Sequence, residues 1–211
     1  MNLNLILKRN KIESLTYNSS LVEHPMSALV DFDFKTILLP PPSNTSHKTQ
    51  KELDLISYAT LHRTRDDYDL IFKMDEDMDS FYIRFLNSYQ LTYPQSYINE
   101  FYSVVEPILM NTKNYWNRPR PSQLSKLYGI EIEEIVTGTI DTASYPSGHT
   151  VYSKLVANIL KKIYPQFAKN FDNIVDATAE ARFKQGVHYP SDNKASIEFA
   201  NYVYEKLSNK I

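Results

Sequence analysis

The sequence predicts an all-α domain, and three observations predict it. Apolar residues recur at three- and four-residue spacings from residue 48 almost to the C-terminus, strand-like alternation is scarce, and no internal repeat is present. At 211 residues the chain is most simply one domain, long enough for a real hydrophobic core.

Taken in order, residues 1–47 are expected to be mostly irregular or extended, an arm packing on a helical domain of residues 48–211. The arm ends in "LLPPPSNTSH", where Pro40 to Pro42 cannot sit inside a helix. Next, "KTQKELDLISYATLHRTRDDYDLIFKM" has helical spacing and neither proline nor glycine. A second helical region covers Gln95–Tyr115, where Pro107 implies a kink or a helix start. The stretch "SQLSKLYGIEIEEI" after Pro121 reads as a loop. In "HTVYSKLVANILKKIY", Val151, Leu155, Ile159 and Ile163 recur every four residues and give the clearest helix. Phe167, Phe171, Ile174 and Thr178 mark another helix running toward Arg182. Ile197, Ala200, Tyr204 and Leu207 line a last one.

Composition narrows the function classes. Hydrophobic residues make up 42% and charged residues 23%, ordinary for a water-soluble globular protein. Basic and acidic side chains number 23 and 25, a formal charge of -2, which argues against nucleic acid as a main partner. The absence of cysteine excludes disulfides, thiolate nucleophiles and cysteine-bound zinc. The opening "MNLNLILKRNK" is too short in its apolar run for a secretory signal, and no segment reaches the ~18 apolar residues of a membrane span. A cytoplasmic location with no integral membrane segment is the expectation; a homo-oligomer is compatible with all of this.

Three clusters carry chemistry. In "KNYWNRPRP", Pro119 and Pro121 force Arg118 and Arg120 out of helical geometry, so the two guanidiniums can share a face, with Lys113 on the preceding helical turn. Cations capping a helix C-terminus are the plainer reading. In "PSGH", Ser147 suits an N-cap, and Gly148 and His149 fall in the first turn, where unpaired amides attract anions. An ordinary helix start is the alternative. In "ARFKQGVHYPSD", Gly186 suits a helix end, and His188 and Asp192 lie four apart, so that the carboxylate can fix the imidazole tautomer. A capping Asp beside a surface histidine is the alternative; a two-ligand metal site is disfavoured by Arg182 and Lys184. Together the clusters suit a single chemistry, in which a tetrahedral oxyanion is surrounded, attacked and relieved of a protonated leaving group.

The pattern resembles the type 2 phosphatidic acid phosphatase superfamily, which includes class A nonspecific acid phosphatases and vanadium-dependent haloperoxidases. Its motifs, Lys-x6-Arg-Pro, Pro-Ser-Gly-His and Ser-Arg-x5-His-x3-Asp, match Lys113 with Arg120-Pro121, then Pro146 to His149, then Arg182 with His188 and Asp192. "SYPSGHT", "RPRP" and "LLPPPS" look most like the class A acid phosphatase branch. The resemblance covers residues 36–208 and implies a single-domain helical bundle of the acid phosphatase/vanadium haloperoxidase type.

It also implies roles. His188 would be the nucleophile forming a phosphohistidine, Asp192 would orient it, and His149 would protonate the leaving oxygen. Lys113, Arg120, Ser147, Gly148 and Arg182 would hold the phosphate, without metal. The expected activity is hydrolysis of small phosphate monoesters, with no cofactor and with vanadate as an inhibitor. A vanadate-dependent haloperoxidase with vanadate as cofactor, and a phosphate-binding module without turnover, are the alternatives. Arg118 is outside the shared pattern. Ala181 replaces the family serine, with a small expected effect. Class A enzymes are generally exported, whereas this chain is expected to work inside a cell. His24, His47 and His62 match no motif and are expected to be surface or packing residues.

Overall fold

The structure is a computed structural model that describes residues 3–17, 24–25, 33–138 and 140–208. Among them every regular element is helical: α1 Leu3–Glu13, α2 Phe34–Ile37, α3 His47–Leu61, α4 Arg65–Glu76, α5 Asp79–Ser88, α6 Gln95–Trp116, α7 Pro121–Tyr128, α8 Gly148–Ile163, α9 Ala168–Lys184 and α10 Pro190–Leu207. A 3₁₀ turn at Pro165–Phe167 joins α8 to α9. Among the described residues no helix is long and apolar enough to cross a membrane.

The all-α expectation holds, with local corrections. Two helices, α1 and α2, form within the arm, whose residues 1–2, 18–23 and 26–32 lie outside the described residues. No proline or glycine interrupts the chain up to Glu13, and the exposed carbonyls at the end of α1 find a donor. The Asn44 amide reaches the carbonyls of Ile12, Glu13 and Leu15 at 3.0, 3.2 and 2.8 Å. Leu39–Ser43, which holds the three prolines, forms no helix.

The single helical pattern of residues 48–74 is broken into α3 and α4. A reciprocal cap between Thr64 and Asp67 starts the second helix, each side chain bonding the other's backbone amide. Pro107 is neither a helix start nor an end, because α6 runs through it. The stretch after Arg120 is helical before it is a loop. Pro121 occupies the first position of α7, the Gln123 side chain accepts the Arg120 amide, and Gly129 at φ +73° ends the helix. α5, with its buried Tyr82 and Leu86, has no counterpart among the expected helices.

The core gathers around α8. Val151, Leu155, Val156, Ile159 and Leu160 of that helix are buried against Phe171 and Val175 of α9, Phe199 and Val203 of α10, and Ile98, Phe101 and Val105 of α6. Each buried side chain of this size contributes about 1.5–3 kcal/mol. Polar groups inside the core are matched: the Tyr82 hydroxyl donates to the Ser153 carbonyl at 2.8 Å. The packing fixes where the ends of α6, α8, α9 and α10 meet, and the three motifs lie at those ends.

Gly186 makes one of these junctions. It lies between α9 and His188 at φ +85°, a region L-residues avoid, and a Cβ there would come within 3.1 Å of both Ile132 Cγ2 and Thr60 Cγ2. Gly186→Ala should therefore destabilise the fold by about 1–2 kcal/mol from backbone strain alone. A urea titration reads this as a lower midpoint at unchanged slope; an unaltered midpoint would contradict the geometry.

Candidate active site

His188 lies just before α10 and is 2% exposed. Its Nδ1 is 3.3 Å from Asp192 Oδ2, and its Nε2 is 3.0 Å from Arg120 Nη1. A guanidinium can only donate, so Nε2 carries the lone pair and Nδ1 the proton. Asp192 occupies the third position of α10 and also accepts the Tyr189 amide at 3.0 Å. It thus caps a helix and orients a histidine, and the histidine beside it is buried. The alternative of a capping Asp next to a surface histidine is half right.

Arg120 is held by carbonyls. Its Nε donates to Thr142 O and its Nη1 to Val187 O, each at 2.9 Å. Lys113, in the last turn of α6, reaches across 30 residues to donate to Ala143 O at 2.6 Å. This is more than capping its own helix. His149, second in α8, places Nε2 3.8 Å from Asp75 Oδ1. Arg182, in the last turn of α9, donates from Nη1 to the same Asp75 oxygen at 2.5 Å.

These groups surround one cavity of about 470 Å³, whose inner wall is formed by Lys113, Arg120, Gly148, His149 and His188. Asp192 and Arg182 stand outside that wall, against His188 and Asp75. Ser147 also lies outside it. It starts α8 without a side-chain cap, and its amide donates to Ser196 Oγ at 2.8 Å. Its hydroxyl lies 3.1 Å from Thr150 Oγ1. A Cβ on Gly148 would meet Leu109 and Lys113 only at 3.7 and 3.9 Å, so the protein itself tolerates one there. What a Cβ would narrow is the cavity floor. His24, His47 and His62 do not line this cavity; His62 stacks on Tyr58 at 4.2 Å.

One expectation needs correction, and one residue is unforeseen. Arg118 and Arg120 do not share a face: Arg120 reaches the cavity, whereas Arg118 turns behind Asp192 and bonds its Oδ1 at 2.5 Å. Asp75, which ties Arg182 and lies beside His149, is absent from the residues that the motifs single out. It sits in "KMDEDMDS", and nothing in that acidic run distinguishes it from its neighbours.

The electrostatics have one theme. Burial, then Arg120, holds Lys113 well below its ordinary pKa. Burial and Arg182 bring Arg120 down to about 10. His188 is pushed well below its usual value by burial and then by Arg120. Asp192 is raised by burial, against the pull of Arg118. Among the described residues no carboxylate pairs directly with Lys113 or Arg120. The part of the cavity walled by Lys113 and Arg120 suits an anion, whereas Glu76, Asp77, Asp79 and Glu106 line it elsewhere.

His149 gives a measurable consequence. Burial, then Arg182, lowers it to about 3, against an ordinary 6.5. The unfolded chain therefore takes up this proton first, so the stability tied to neutral His149 is intact above pH 6.5 and declines as pH falls toward 3. Relative to His149→Gln, the wild type should lose about 1.5 kcal/mol of unfolding free energy between pH 6.5 and pH 5, the slope approaching about 1.4 kcal/mol per unit only at the lower end of that range. Urea titrations of both proteins in anion-poor buffer would show it, and parallel pH profiles would exclude it.

No protein-family model matches the sequence, and no curated protein matches it. Solved structures do. A transmembrane PAP2-type phosphatidylglycerolphosphate phosphatase from Bacillus subtilis superposes with a TM-score of 0.52 at 17% identity, over 79% of this chain and 89% of its own. A bacterial vanadium-dependent iodoperoxidase superposes with a TM-score of 0.63 at 14% identity, over 99% of this chain; the chain spans 64% of the iodoperoxidase's length. The protein therefore has the all-α fold found in a PAP2-type phosphatase and in a vanadium-dependent iodoperoxidase.

Proposed function

We propose that the protein is a phosphomonoesterase, acid phosphatase-like in its residues, that works through a phosphohistidine and without metal. The observation that carries this reading is the setting of His188. Its Nδ1 faces a buried carboxylate and its Nε2 lone pair faces a cavity walled by Lys113 and Arg120. A bound phosphoryl group would take the Arg120 donor for its own oxygens and so release Nε2. The lone pair forms the P–N bond, the ester P–O bond breaks, and the departing oxygen takes a proton from His149. His149 then removes a proton from water, whose oxygen attacks phosphorus; the P–N bond breaks and phosphate leaves. The phosphate dianion would itself raise His149 and so make its protonated form accessible.

Metal independence is supported by the kind of residue present. A divalent cation in the cavity would meet Lys113 and Arg120, and among the described residues no group of three His, Asp or Glu could hold one. The purified protein should hydrolyse nitrophenyl phosphate in excess chelator. Acid quench should trap labelled phosphohistidine in wild type and none in His188→Ala, whose turnover should fall to near background. Activity that vanishes with chelator and returns with a divalent ion would point to another mechanism.

The outer wall bears on substrate choice. This more exposed part of the lining carries Glu76, Asp77 and Glu106, together with the half-buried Asp79, Tyr102 and Tyr152. Asp79 accepts from the Tyr102 hydroxyl at 2.8 Å, and burial raises its pKa. A leaving group bringing further negative charge would pass these carboxylates, at a cost of about 1 kcal/mol or more for each close pair. kcat/KM for an aryl phosphate should exceed that for ATP by about tenfold or more at low salt. Equal values would assign no selective role to this wall.

A second reading, vanadate-dependent haloperoxidase, draws on the superposition of the iodoperoxidase over 99% of this chain. The buried donors of Lys113 and Arg120 fit vanadate as they fit phosphate, both being tetrahedral oxyanions. In that reading His188 would hold the vanadium, and the bound group would supply peroxide activation. Halide oxidation by vanadate-loaded protein with hydrogen peroxide, in a protein that hydrolyses no phosphate ester, would select it. Phosphate binding with neither activity would leave a binding module.

A further inference from the structure

Arg118 lies outside the cavity wall, yet it is one of the most confined side chains in the protein. It is 2% exposed and its guanidinium carbon lies 3.7 Å from the centre of the Tyr189 ring. Nη1 donates to Asp192 Oδ1 at 2.5 Å and to Ser191 Oγ at 2.8 Å, and Nη2 points at Glu52 Oε2 at 3.4 Å. Glu52, from α3, accepts the Ser191 amide at 2.9 Å and the Ser191 hydroxyl at 2.7 Å. A carboxylate 66 residues upstream of Arg118 is thus wired to the first turn of α10.

We propose that Arg118, anchored by Glu52, is a positioning residue that fixes the plane of the Asp192 carboxylate and through it the tautomer of His188. This rests on the phosphatase reading for its kinetic consequence, though not for its structural one. Asp192 uses its two oxygens for different purposes. Oδ2 meets His188 Nδ1 and the Tyr189 amide, and Oδ1 meets Arg118. A carboxylate held through one oxygen can turn about its terminal torsion; one held through both cannot. With the plane fixed, Oδ2 always presents an acceptor to Nδ1, and the lone pair stays on Nε2, facing the cavity.

A rigid brace alone would need only bulk and charge. Arg118 also matches its partners by shape. The guanidinium fork serves Asp192, Ser191 and Glu52 at once while its face lies on Tyr189, which an ammonium cannot imitate. Because neither Arg118 nor Glu52 lines the cavity, neither touches a bound phosphate. Their loss should affect the nucleophile and spare the anion cradle.

The test uses the full chain with Arg118→Lys, Arg118→Gln and Glu52→Gln. Nitrogen-15 NMR of the histidine rings under saturating inorganic phosphate, which takes the Arg120 donor away from Nε2 and leaves the tautomer to Asp192, should show His188 as the single Nδ1-protonated tautomer in wild type and as a mixture in the Arg118 variants. Glu52→Gln, which leaves Arg118 in place, should give a smaller change in the same direction. The rate of phosphohistidine formation should fall about 10–100-fold in the Arg118 variants, the range found when a buried partner orienting a functional histidine is removed. The inhibition constant of inorganic phosphate should stay within about threefold. Removing one partner of a buried ion pair can prevent folding; if Arg118→Gln does not fold, the Lys variant and Glu52→Gln decide. An unchanged His188 tautomer in folded variants overturns the proposal, whatever the rates. So does a loss of phosphate affinity equal to the loss of rate. If the wild type turns over no phosphate ester, the phosphatase reading fails, and the NMR comparison still judges the role of Arg118.

Discussion

Three cations buried around one small cavity set the terms for the rest of this molecule. Lys113, Arg120 and Arg182 are each 3% exposed or less, and repulsion among them adds to the cost of leaving water. Burying even one unpaired ion costs several kcal/mol, so such a cluster persists only if the fold supplies compensation from elsewhere. Arg182 receives it from Asp75. Lys113 and Arg120 receive it from backbone carbonyls at Ala143, Thr142 and Val187. Carbonyls offset desolvation without neutralising charge, so the wall formed by Lys113 and Arg120 stays positive.

The helix arrangement works in the same direction. Lys113 is in the last turn of α6 and Arg182 in the last turn of α9, where the partial negative charge of a helix C-terminus favours a cation. Gly148 and His149 open α8, and Asp192 is in the first turn of α10, where the partial positive charge favours an anion. Each charge sits at the helix end that stabilises it. The packing of α8 against α9 and α10 therefore does more than build a core, because it aims four helix termini at one point.

How much of this is legible in the chain depends on whether a residue's partner is near in sequence. His188 and Asp192 are legible because four residues apart across a helix start is within side-chain reach, and "PSGH" is legible because a glycine after an N-cap has few uses. The amphipathic stripes of α8 and α10 are equally plain. α5 and α7 are not, since an eight- or ten-residue helix offers little more than two turns of periodicity. α1 is hidden because its end is capped by Asn44, a partner across the arm. Asp75 and Glu52 have no local signature whatever. Each acquires its role from a guanidinium more than 60 residues away, and only the folded chain brings them together. Arg118 is visible in the sequence, but its direction is not, because two residues in an extended strand face the same way only while the strand stays extended.

In the proposed reaction the same charges make His188 and His149 depend on the ligand. His188 has its Nε2 lone pair tied to Arg120, and His149 is held neutral, so neither the proposed nucleophile nor the proposed acid is ready on its own. In the proposed reaction a phosphate dianion changes both conditions at once. Its oxygens compete for the Arg120 donor and free Nε2, while its charge offsets Arg182 and Lys113 and lets His149 take a proton. A neutral ester could do neither, even if it fitted the space. Binding and activation then depend on one quantity, the negative charge delivered to the inner wall. The carboxylates of Glu76, Asp77, Asp79 and Glu106 on the outer wall oppose negative charge placed anywhere else along the substrate. Under the proposed reaction the cavity would thereby read the position of charge on its ligand and not only the amount.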